Sequence, residues 1–103
     1  MNTKKTQLNF NQLTPAETER LAILAEEMGE VAQIVGKILR HGYESKNPDI
    51  KDALTNRQNL QKELADIFVI LEYMFENKDI DQEIVFKFAE LKKQKIKKWL
   101  HHQ

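Results

Sequence analysis

Apolar residues recur three and four positions apart through most of this 103-residue chain, the spacing of helices with one buried face. Thr14-Pro15-Ala16-Glu17 reads as a helix start. Thr14 serves as N-cap, Pro15 takes the first helical position and Glu17 closes a capping box. Leu21, Leu24, Met28, Val31, Val35 and Ile38 then mark one long helix. Arg40 and His41 suit the negative end of its dipole, and Gly42 suits its stop. Residues 42–54 form a connection, with Asn47-Pro48 breaking any helix and a short turn expected over 49–54. A second helix is predicted from Thr55 or Asn56 to about Asn77, with Thr55 and Gln58 as its capping box. Between Leu64 and Phe75 it is apolar on nearly all sides, the pattern of a central, buried helix. Asp79-Ile80-Asp81 offers a third N-cap, and the last helix carries Ile84, Val85, Phe88, Leu91, Ile96 and Trp99. No stretch alternates with period two, so strands are not predicted. The fold class is all-α, one domain over residues 1–103. Residues 1–13, with Leu8, Phe10 and Leu13, form an N-terminal arm expected to pack on something, and 96–103 form a basic tail.

Two acidic pairs interrupt this pattern. Glu27 and Glu30, in E-E-M-G-E, and Glu63 and Asp66, in E-L-A-D, each have i, i+3 spacing, which sets both carboxylates within roughly 60° on one helix face. Glu26 points further round, toward the more polar side. Glu63 and Asp66 share their face with Ile67, Ile70 and Met74, where an unpartnered carboxylate is costly. Antiparallel packing of the two helices brings all four acids together, and a hard divalent cation relieves their repulsion. Two other arrangements meet the same need: a solvated acidic face, in a chain with 31% charged residues, or salt bridges to Lys37, Arg57 or Lys62. Ala25, Gly29, Ala32 and Gly36 line the other side of the first helix. Two mid-helix glycines cost about 1 kcal/mol each relative to alanine, so close approach of another helix backbone is expected there.

Composition narrows the classes. Sixteen basic and sixteen acidic residues give a formal net charge of zero, which argues against broad binding to nucleic acid or an acidic membrane. The absence of cysteine excludes disulfides and thiolate metal sites. The first ten residues lack the apolar core of a signal peptide, and the longest apolar run, Ile67 to Leu71, is too short for a bilayer. A soluble, cytoplasmic protein is expected. His101 and His102 read as tail, the lysines from Lys92 to Lys98 as a solvated face, and Trp99 as core.

The pattern E-E-x-x-E, then some thirty residues, then E-L-A-D before an apolar helix resembles the MazG-like all-α nucleoside triphosphate pyrophosphohydrolases, in particular their short, phage-type members. The resemblance runs from about Leu21 to Leu100 and includes G-K-I-L-R-H-G (Gly36 to Gly42), N-L-Q-K-E-L-A-D (Asn59 to Asp66) and K-x-x-K at Lys92 and Lys95. It implies Mg²⁺, with Mn²⁺ as a possible substitute, held by Glu27, Glu30, Glu63 and Asp66. Glu26 would orient a ligand or water, and Glu27 or Glu30 would act as general base. The implied reaction cleaves (deoxy)nucleoside triphosphates to the monophosphate and pyrophosphate, a house-cleaning role in the nucleotide pool. Lys37, Arg40, Lys92 and Lys95 would contact phosphate, although lysine at position 95, where relatives often carry arginine, lacks a bidentate fork. Tyr43, Phe68 and Tyr73 are candidates for the base pocket, Phe68 also fitting the core. The family further implies a four-helix-bundle core completed by homo-oligomerisation, as a dimer or tetramer. Two other functions fit the same helices: a phosphoribosyl-ATP pyrophosphohydrolase-like enzyme, and a non-enzymatic helical interaction or regulatory module.

Overall fold

The computed structural model describes residues 8–103, and the first seven residues of the expected arm lie outside them. Three α-helices follow in order: α1 (Pro15–His41), α2 (Asn56–Glu76) and α3 (Gln82–Lys95), with a 3₁₀ turn at Ile96–Trp99. By packing the chain divides into two compact units, Met1–Tyr73 and Met74–Gln103, which are taken separately below.

In the first unit, the start of α1 is the expected capping box. The Thr14 hydroxyl accepts from the Glu17 amide (3.1 Å), and the Glu17 carboxylate accepts from the Thr14 amide (2.8 Å). Gly42 ends the helix with φ +89°, a region that glycine enters without steric cost, and its amide reaches the Ile38 carbonyl at 2.7 Å. Thr55 and Gln58 cap α2 reciprocally, with Thr55 N donating to Gln58 Oε1 (2.8 Å) and Gln58 N to Thr55 Oγ1 (3.1 Å).

The connection from 42 to 55 folds back onto the start of α2. Asn56 is buried and its Nδ2 donates to the Gly42 carbonyl at 3.1 Å. The amides of Asn56 and Arg57 reach the carbonyls of Ser45 and Tyr43, and an antiparallel bridge pairs Lys46 with Thr55. The Arg57 guanidinium lies 4.3 Å over the Tyr43 ring and bonds Glu44 at 2.6 Å. These ties hold the end of α1 beside the start of α2, so the two helices run antiparallel. Asn56→Ala removes a buried donor and leaves the Gly42 carbonyl unpaired; it is expected to cost about 1–3 kcal/mol, read as a lower urea midpoint at unchanged slope.

In the second unit, α2 ends through a left-handed Lys78 (φ +62°), with the amides of Lys78 and Asp79 returning to Phe75 and Met74. Asp81 caps α3 by accepting from Ile84 N at 3.2 Å, and Phe75 meets Phe86 edge to face at 6.3 Å. The α-helix stops at Lys95, and the predicted continuation through Trp99 is a 3₁₀ turn.

Three expectations about packing are corrected. The second helix is buried along one stripe, Ile70 and Met74, while Leu64, Phe68, Val69 and Tyr73 are exposed, Phe68 at 68%. A chain this short has too few neighbouring elements to cover an all-round apolar helix. Gly29 and Gly36 have nothing within 4 Å of an added Cβ, so the close backbone approach expected at the small-residue stripe is not made among the described residues. Trp99, expected in the core, is 72% exposed, and Phe10 of the arm expected to pack is 97% exposed. Among the described residues no helix is long and apolar enough to cross a membrane.

Candidate metal centre

Antiparallel pairing of α1 and α2 sets the middle of one helix against the third turn, and the start of the fourth, of the other. Glu27 from α1 there meets Glu63 and Asp66 from α2, each offering a carboxylate oxygen, with all three oxygens within 4.8 Å of one another. Glu27 and Glu63 are half-buried. One Glu27 oxygen, Oε2, is shut off from solvent and has no hydrogen-bond partner. The salt bridges that could have neutralised this cluster are not formed among the described residues, and Arg57 is engaged by Glu44 instead.

The electrostatics follow. Burial pushes the Glu27 carboxyl above the usual glutamate range, and the negative charge of Asp66 and the nearby Glu63 push the same way. A site that disfavours its own negative charge has two remedies, a proton or a cation. Oxygens on opposite sides of one ion stand about 4 Å apart for Mg²⁺ and about 5 Å for Ca²⁺. The observed spread therefore closes onto a single divalent cation with small side-chain rotations. The orphaned Glu27 oxygen and the all-carboxylate donor set both fit such an ion.

Glu30, one turn beyond Glu27, is exposed and is not among the converging three; Glu26 is exposed as well. Lys37 and Arg40, together with His41, line a cavity of about 750 Å³ between the end of α1, the 45–54 loop and the start of α2. Tyr43 is not in its lining and lies under Arg57. Lys92 and Lys95 are exposed on α3, in the second unit.

The cavity's α2 wall, Asn56 and Asn59, was given no role by sequence reasoning. Asn59 stands one turn before Glu63 within the N-L-Q-K-E-L-A-D segment, and a polar amide at that spacing from an acid pair was the available signal.

Among known families, the model described as the MazG nucleotide pyrophosphohydrolase domain matches residues 16–101, most of the chain. Comparison with curated proteins and with solved structures gave no match.

Proposed function

The chain belongs to the MazG nucleotide pyrophosphohydrolase family, and from that premise we propose that it hydrolyses (deoxy)nucleoside triphosphates to the monophosphate and pyrophosphate with Mg²⁺. The observation that carries the metal requirement is the convergence of Glu27, Glu63 and Asp66 around an unpartnered, buried carboxylate oxygen. These three side chains hold the cation. Glu30, one turn along the same helix, supplies the fourth oxygen by a side-chain rotation, and Glu26 orients a ligand or water from the polar side. A bound Mg²⁺ would neutralise phosphate charge and favour a nucleophilic water. Glu27 or Glu30 takes the proton of that water. Lys37 and Arg40 hold the phosphates, a reading supported by their place along α1 beyond the acids; Lys92 and Lys95 are proposed as further phosphate contacts and Tyr43 as a contact to the substrate.

The exposed small-residue stripe and the exposed face of α2 support a homo-oligomer, dimer or tetramer, that completes a four-helix bundle. Light scattering at the monomer mass would remove that part of the reading. The role assigned is nucleotide-pool house-cleaning by a phage-type, cytoplasmic enzyme, with neither nucleic acid nor membrane as partner.

Incubation with a panel of NTPs, dNTPs and phosphoribosyl-ATP, with product analysis, tests the activity. Equal yields of monophosphate and pyrophosphate from a nucleoside triphosphate are expected. Release of orthophosphate, or no turnover by a folded protein, sinks the proposal. Glu30→Gln is expected to weaken Mg²⁺ about tenfold and to lower turnover, less severely than loss of a converging acid. Unchanged Mg²⁺ affinity in calorimetry would exclude Glu30 as a ligand.

A further inference from the structure

The cavity beside the acid cluster has a lining that the metal chemistry does not use. Its α1 wall is cationic, Lys37 and Arg40, and its loop wall sets Pro48, Ile50 and Leu54 among polar residues that include Lys46 and Asp52. From the α2 wall Asn59 contributes an amide with no side-chain partner among the described residues. At about 750 Å³ it falls in the range of small-molecule sites.

Helix geometry connects this cavity to the acids. Asn59 lies one turn before Glu63, about 6 Å along α2, and Lys37 lies ten residues beyond Glu27, about 15 Å along α1. Side chains on an α-helix lean toward its N-terminus. Lys37 and Arg40 therefore lean back along α1 toward the acids, whereas Asn59, on the antiparallel helix, leans away from Glu63 and toward the cavity.

We propose that this cavity receives the nucleoside end of the triphosphate, with Asn59 hydrogen-bonding the base or sugar beside Ile50 and Leu54. The assignment rests on the pyrophosphohydrolase reading. It places the phosphates between the acids and Lys37, and the uncharged end of the substrate within the cavity, where Ile50, Leu54 and an amide stand together. Asn59 would thus be a specificity-determining residue, distinct from the groups that hold phosphate.

The test compares two probes in the presence of Mg²⁺: a set of four α,β-imido deoxynucleoside triphosphates and inorganic tripolyphosphate. In the wild-type protein both classes are expected to bind, the nucleotides more tightly. Asn59→Ala is expected to lower affinity for the preferred nucleotide about tenfold, as a polar group loses its partner, and to leave tripolyphosphate within twofold. Ile50→Trp narrows the cavity from an exposed loop position and should discriminate between the probes in the same direction, so it decides the matter if Asn59→Ala proves unfolded. Wild-type nucleotide binding that neither variant alters, or that falls in step with tripolyphosphate, overturns the nucleoside assignment alone. Failure of the wild-type protein to bind any of the nucleotides overturns the pyrophosphohydrolase reading with it.

Discussion

Glu63→Gln is expected to cut Mg²⁺-supported turnover by at least about a hundredfold and, in the absence of metal, to raise the melting temperature by a few degrees. The two effects have one cause. Three carboxylate oxygens lie within 4.8 Å, and one oxygen of Glu27 is buried without a partner. Removing one negative charge relieves that repulsion in the metal-free fold. The same substitution removes an oxygen ligand, and even groups that only support a metal ligand cost about 10–100-fold when lost. Turnover assays and thermal melts in chelator check the pair. A variant that keeps full turnover, or one that melts lower than the wild type in chelator, contradicts the assignment. A purely structural role for the acids predicts increased stability without any loss of metal binding, so the turnover arm separates the two.

The second large effect is on pH dependence. Glu27 titrates above the usual glutamate range because of burial, with Asp66 and Glu63 adding to it. Between the ordinary glutamate value and its raised one, the folded chain keeps a proton that the unfolded chain has released. Metal-free stability therefore falls as pH rises through that interval, the penalty being absent below it and complete above it. Divalent cations need the carboxylates deprotonated, so their affinity rises across the same interval. The gap between melting temperatures in saturating Mg²⁺ and in chelator is accordingly expected to widen as pH increases from about 4 through Glu27's titration. A gap that stays constant across this range contradicts a cation sharing the site with the Glu27 proton.

Local chemistry made the helix boundaries legible. Thr14, Thr55 and Asp81 each accept from a backbone amide three residues on, and Gly42 takes a backbone angle that few other residues tolerate, so each end is decided within one turn of chain. The acid cluster was legible in part for a related reason: i, i+3 acid pairs on two helices held antiparallel by a tied-down loop can meet, and three of the four acids do. Glu30 departs from that pattern because a wheel fixes the direction of a side chain but not whether the opposite helix reaches it. Burial was the least legible property. Phe68 and the Gly29–Gly36 stripe read as contacts from their helical pattern, and they are open because no other element among the described residues covers them. The cavity was illegible too, since its walls are assembled from a loop whose turns follow no periodic pattern.

Titration of Mg²⁺ into wild-type protein and into Glu27→Gln, each with an α,β-imido nucleotide present, tests the metal centre most directly. Saturable Mg²⁺ binding by the wild type, abolished in Glu27→Gln while the variant remains helical, is the expected result. Equal Mg²⁺ binding by both proteins, or none by the wild type, would contradict a cation held by Glu27, Glu63 and Asp66.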